Sequence, residues 1–97
     1  MYTILFSPES RLYLKKFSKR EQVIILDEIA GQLVEHPDLE TRHRKHLRPN
    51  PLAPWELRIG DFRVFYDVEE KDSRVIIVAV GQKHHDRLVI GNEEVIL

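Results

Sequence analysis

The sequence predicts a small α+β domain, in which an N-terminal strand and a pair of helices pack on an antiparallel sheet of about four strands. Three observations carry this. Apolar residues in the first third recur at helical spacing, and in the last half they alternate with a period of two. Helix-start signals stand at Ser7-Pro8-Glu9 and Ser18-Lys19-Arg20-Glu21, only eleven residues apart. Helices segregated in the chain from consecutive strands give a two-layer α+β domain.

The elements follow in order. Tyr2–Phe6 is short and β-prone, and it reads as a first strand. Ser7 can cap a helix, Pro8 suits its first turn and Glu9 its positive end, so a helix is expected to about Phe17. Ser18 and Glu21 form a capping box for a second helix, which Pro37 ends. Its expected apolar stripe is Val23, Leu26, Ala30 and Leu33, widened by Ile25 and Ile29. Two helices joined this closely lie side by side.

Residues 36–54 hold Pro37, Pro49, Pro51 and Pro54 and a basic run from Arg42 to Arg48, and are read as a long connection. Trp55, Leu57 and Ile59 then alternate with Glu56 and Arg58, and Phe62, Val64, Tyr66 and Val68 with Arg63, Phe65, Asp67 and Glu69. Gly60-Asp61 between them is a two-residue hairpin turn. Val75–Val80 is a continuous apolar run, as expected of a central strand, and Gly81 is read as its end. The tail offers Arg87–Ile90 and Val95–Leu97 as one or two further short strands.

With 97 residues the chain is expected to form one domain over 1–97, around one core. It has no cysteine, which excludes disulfides and thiol nucleophiles and suits a reducing compartment. No stretch reaches the roughly 20 apolar residues a membrane span needs, and no signal peptide is read at the start, so the cytoplasm is expected. The net charge of −1 argues against a general nucleic-acid coat. Residues 1–50 nevertheless hold nine Lys and Arg against seven Asp and Glu.

The hairpin register fixes a constellation. A two-residue loop sets Arg58 opposite Arg63, with Glu56 one step along the same face. Like charges paired across strands are unfavourable. Either an acid (Asp67, Glu69 or Glu56) neutralises them, or they form an anion site in which two guanidiniums present fixed donors to a phosphate. Gln82-Lys83-His84-His85-Asp86-Arg87 is read as a loop after the central strand, and His84 and His85 titrate in the range that suits proton transfer. Both also suit a plain polar loop, and adjacent residues rarely converge on one metal ion. Arg42, Arg44, Lys45 and Arg48 are either contacts for a nucleic-acid backbone, a solvated loop or a face for an acidic partner. No phosphate-binding glycine loop is present, so no nucleotide cofactor is expected.

Leu57-Arg58-Ile59-Gly60-Asp61-Phe62-Arg63-Val64-Phe65-Tyr66, followed by the apolar strand and Val80-Gly81, resembles the hairpin signature of the RelE/ParE toxin superfamily. His46-Leu47-Arg48 resembles the approach to that hairpin, and the likeness covers nearly the whole chain. RelE-like members are ribosome-dependent endoribonucleases that cut mRNA; ParE-like members poison DNA gyrase; both are neutralised by a cognate antitoxin. The resemblance implies no cofactor or metal. It implies that Arg63 is a catalytic arginine, with Arg58 and Lys83 as further cations around the scissile phosphate. Glu56 stands at a position where some relatives use a carboxylate base. The tyrosine expected shortly after Lys83 has no counterpart: either His84 or His85 supplies the acid, as histidines do in some relatives, or catalysis is weak or lost. Arg42, Arg44, Lys45, Arg48 and Arg87 would then contact RNA. The alternatives are a gyrase-directed toxin and a non-catalytic, antitoxin-binding module on the same fold.

Overall fold

A computed structural model describes all residues, 1–97. The chain runs β1 (Thr3–Phe6), α1 (Pro8–Lys15), α2 (Lys19–Leu33), β2 (Arg44–His46), β3 (Trp55–Ile59), β4 (Phe62–Glu69), β5 (Arg74–His84), β6 (Arg87–Ile90) and β7 (Glu93–Val95). The sheet order is β2-β3-β4-β5-β6-β7, antiparallel throughout, with β1 added in parallel beside the first residues of β5. The sheet therefore has seven strands, more than the expected four or so, because β1 joins it and β2 has no counterpart in the sequence pattern.

Both helix starts form as the sequence predicts. Ser7 Oγ accepts from Ser10 N at 3.1 Å. At the second helix Glu21 N donates to Ser18 Oγ at 3.1 Å while Ser18 N donates to Glu21 Oε1 at 2.9 Å, which satisfies two otherwise orphaned donors. α1 ends at Lys15, two residues before the expected end. The face of α2 that is buried is Ile25, Ile29 and Leu33. Val23, Ile24 and Leu26 point outwards, and Ala30 is exposed. One helix can turn only one stripe to the sheet, and the row spaced by four residues wins.

The main core lies between helices and sheet, with Ile25, Leu33, Leu57, Val64, Tyr66, Val75 and Ile77 closed to solvent. Truncating a side chain such as Leu57 here costs about 2–5 kcal/mol. Trp55 stacks on Tyr66, ring centres 6.0 Å apart, and Tyr66 Oη donates to Pro37 O at 2.8 Å. Burial pushes the Tyr66 phenol far above its ordinary range. A smaller core fills the other face of the sheet, where Phe65 and Ala79 sit with Ala53, Leu88 and Ile90. Phe65 reaches it by strand alternation, since its neighbours Val64 and Tyr66 both face the main core.

Two expectations need correction. Part of the basic run is not a loop: Arg44–His46 forms β2, paired antiparallel with Leu57, Glu56 and Trp55. Gly81 does not end the central strand, which continues to His84 and turns at His85-Asp86 into β6. Gly81 is required for a different reason. A Cβ there would lie 2.6 Å from Val89 O and 2.8 Å from Ile90 Cγ1, so the glycine lets β6 approach. No helix is long and apolar enough to cross a membrane.

Candidate functional site

The hairpin positions the first three residues of the site. β3 and β4 pair with Ile59 opposite Phe62, Arg58 opposite Arg63 and Glu56 opposite Phe65, the register expected from a two-residue loop. Gly60 has φ 56°, the left-handed value such a loop needs at its first position. Alternation then puts Leu57 and Val64 in the main core, and Glu56, Arg58, Arg63 and Phe65 on the opposite face. Extension of β5 past Gly81 adds Lys83 to that face, since Gly81 pairs with Arg63 and Lys83 lies two residues on. Lys83 N also donates to Asp61 O at 2.7 Å, which ties β5 to the hairpin turn.

The like-charged pair is resolved by divergence. Arg58 Nε donates to Glu56 Oε1 at 2.9 Å, so Glu56 is the acid that neutralises it. Asp67 is taken up by the Val68 backbone N–H, and Glu69 by Arg74. Arg63 folds back on its own turn instead: Nη1 donates to Gly60 O at 2.7 Å and to Phe62 O at 2.8 Å. Its buried Nε has no partner. Glu56 is nearly closed to solvent, and Arg58 keeps 45% of its side chain exposed.

On this face lies an open groove of about 1000 Å³. Its floor carries Glu56, Arg58 and Lys83, one wall is the segment from Lys45 to Asn50, and the other comes from β6 and residues 94–97. Five cations line it, Lys45, Arg48, Arg58, Lys83 and Arg87, against the three acids Glu56, Asp86 and Glu94. Arg58 is paired with Glu56, and Arg87 reaches Glu94 only at 3.8 Å. Lys45, Arg48 and Lys83 make no ion pair within the chain. The groove thus carries an excess of cations on a chain whose net charge is −1. Such a groove suits a polyanion.

The structure thus brings Glu56, Arg58, Lys83, Lys45, Arg48 and Arg87 together and leaves five expected residues outside the groove lining. Arg63 sits beside it, engaged with the turn. His84 and His85 are exposed at the tip of the β5–β6 hairpin, His85 with φ 62°. Arg42 is exposed ahead of β2. Arg44 turns inwards, its Nη1 donating to Gln32 O at 2.6 Å and its Nε to Leu39 O at 3.0 Å, so it joins the second helix to the edge strand. Sequence reasoning missed Asn50 and the wall formed by residues 94–97. The tail gave no signal, but an asparagine between two prolines marks a side-chain-braced turn.

Known proteins share the fold. The family model described as the ParE toxin of the type II toxin–antitoxin system parDE matches residues 4–87. No curated protein matches the sequence. Among solved structures, the toxin–antitoxin complex RelBE2 from Mycobacterium tuberculosis contains a chain 26% identical, with TM-score 0.74, covering 84% of this chain and 91% of that one. The isolated E. coli RelE toxin superposes with TM-score 0.71 at 17% identity, covering 89% and 88%. The archaeal RelE–RelB complex from Pyrococcus horikoshii gives TM-score 0.68 at 20% identity, covering 87% and 97%. The two-layer fold, the hairpin with its cationic face and the match over residues 4–87 together make this chain a member of the ParE toxin family of type II toxin–antitoxin systems, within the RelE/ParE superfamily.

Proposed function

We propose that the groove is a phosphodiester-cleaving site and that the chain is a ribosome-dependent mRNA endoribonuclease restrained by a cognate antitoxin. One observation carries this reading: five cations and three acids, Glu56 among them, converge in one groove on a chain of net charge −1. Cleavage by 2′-hydroxyl attack needs a base, a clamp for the developing charge on phosphorus and a proton for the leaving oxygen. Glu56 takes the 2′-hydroxyl proton as the 2′-oxygen bonds to phosphorus. Arg58 and Lys83 stabilise the added charge on the non-bridging oxygens. The P–O5′ bond breaks, leaving a 2′,3′-cyclic phosphate, and the Lys83 ammonium protonates the departing 5′-oxygen. The histidines at the hairpin tip have no part in this scheme. Arg63, with an unspent Nε–H, can exchange its carbonyl partners for a phosphate oxygen. Lys45, Arg48 and Arg87 hold the flanking backbone, and Arg42 extends the docking surface for ribosomal RNA.

RelE in the Mycobacterium and Pyrococcus structures is complexed with its antitoxin, and the same kind of partner is proposed here. The exposed Leu12, Val23, Ile24 and Leu26 on the helices give it an apolar face to cover. The cytoplasm is the corresponding site of action.

Primer extension on a translated mRNA tests the proposal. Wild-type protein is expected to cut within codons only when ribosomes are present, and Lys83→Ala to abolish the cuts. Intact mRNA at stoichiometric protein would overturn the reading. A gyrase-directed activity is the second reading, favoured by the match to the ParE family model. It requires loss of supercoiling by purified gyrase while mRNA stays intact.

A further inference from the structure

The segment between β2 and β3 reads Leu47-Arg48-Pro49-Asn50-Pro51-Leu52-Ala53-Pro54. It is closed at its base by Leu47 N donating to Pro54 O at 2.8 Å. Three of its residues are prolines and have no N–H to give, so backbone bonds alone cannot brace it. The Asn50 side chain does. Its Nδ2 donates to Arg48 O at 2.8 Å and to Ala53 O at 2.9 Å, and its Oδ1 accepts from Leu52 N at 2.8 Å and Ala53 N at 3.1 Å. A primary amide offers two donated hydrogens and two lone pairs, and here all four are used inside one loop. The partners also fix its orientation: a flipped amide would set Nδ2 against two N–H groups and Oδ1 against two carbonyls.

The loop held in this way is a wall of the cationic groove. One of the carbonyls that Asn50 engages belongs to Arg48, so the amide anchors the backbone from which that guanidinium extends. Arg48 itself is exposed and has no hydrogen bond or ion pair through its side chain within the chain. An immobilised backbone beneath an unpaired cation is an arrangement that lowers the ordering cost of binding an external anion.

We propose that Asn50 is a positioning residue of the groove, whose amide holds the 47–54 loop so that Arg48 meets one phosphate of a bound RNA strand. The inference rests on the RNA reading of the groove. The contact with RNA belongs to Arg48, and Asn50 acts through it.

Two measurements test this. The first is binding of a fluorescein-labelled single-stranded RNA dodecamer, followed by anisotropy over a salt series, for wild type, Arg48→Ala, Asn50→Ala and the double variant. Removing one phosphate contact lowers the slope of log K against log salt by about 0.7. Arg48→Ala and Asn50→Ala are each expected to lose about that much, and the double variant no more than either alone. Non-additivity of this kind marks residues acting as one unit. A wild type that binds while Asn50→Ala keeps the full slope, or losses that add, would overturn the positioning role alone. A wild type that binds no RNA overturns the groove reading and the positioning role with it.

The second measurement is independent of RNA. Amide exchange of the folded protein is expected to show Leu47, Leu52 and Ala53 protected in wild type and all three released in Asn50→Ala, with the strand amides unchanged. If Leu47 stays protected in Asn50→Ala, the loop stands without the amide and the proposal fails.

Discussion

Replacing Gly81 by alanine is expected to unfasten one side of the groove, and the structure gives the size of the effect. The added Cβ would sit 2.6 Å from Val89 O. Ordinary contact begins near 3.4 Å, so β6 would have to retreat by about 0.8 Å. A ladder hydrogen bond near 2.9 Å would then stretch to about 3.7 Å, beyond useful range. One or two bonds lost at about 0.5–1.5 kcal/mol each, with overpacking of about 1–3 kcal/mol, outweigh the roughly 0.4–1 kcal/mol gained from a stiffer unfolded chain. The net destabilisation is about 2–3 kcal/mol on those terms. Urea unfolding is the assay. The midpoint should fall by about 1–2 M with the slope unchanged, at the roughly 1–3 kcal/mol per molar typical of small domains. Leu88 and Arg87 move with β6, so RNA binding in the surviving folded fraction should weaken as well. A variant within 0.5 kcal/mol of wild type, on the scale of ordinary surface substitutions of about that size, would refute the close-approach argument.

Further outcomes follow from other residues. RNA binding by wild type should fall about 20-fold between 50 and 200 mM salt if the three unpaired cations Lys45, Arg48 and Lys83 each engage one phosphate; a flat salt series would contradict that. Tyr66→Phe leaves the Pro37 carbonyl buried without its donor and should cost about 1–3 kcal/mol in thermal unfolding, with no effect on RNA binding. Glu70 shares a hydrogen bond with the neighbouring Asp38, whose charge adds to the effect, and its carboxyl is held above the usual range. The folded state therefore binds this proton more tightly than the unfolded chain, and stability contributed by protonation is complete below the ordinary glutamate range and lost as pH rises through the folded value. Glu70→Gln should accordingly raise Tm at neutral pH, with the gain over wild type shrinking as pH falls through the acid range.

What could be read in the sequence is what local chemistry dictates. The caps at Ser7 and Ser18 and the hairpin at Gly60-Asp61 depend on residues within four positions of one another, and their geometry appears as predicted. Glu56 is one of three acids that the pattern leaves open for Arg58, and the structure pairs the two. The misread parts are decided by distant partners. Arg44–His46 is a strand because β3 offers it a ladder, and nothing apolar in Arg-Lys-His announces one. Gly81 looks like a stop until Val89 and Ile90 are seen pressing on it from β6. Extending β5 sets Lys83 on the groove face and leaves His84 and His85 at an exposed turn, a placement that the apolar run ending at Val80 does not announce. Val23 and Leu26 fit a helical stripe, but the packing of α2 turned Ile25 and Ile29 inwards. Arg44 reads as one more cation in a run, and only the carbonyls of Gln32 and Leu39 reveal its structural use.

The ends of the cut RNA report the groove's chemistry most directly. Mass spectrometry of mRNA fragments from a translation reaction is expected to show 2′,3′-cyclic phosphate on one end and 5′-hydroxyl on the other. With Glu56→Gln their yield should drop by about 10²-fold or more, the usual contribution of a general base. Fragments ending in 3′-hydroxyl, or undiminished cleavage by the variant, would contradict the assignment of Glu56 and the clamp around it.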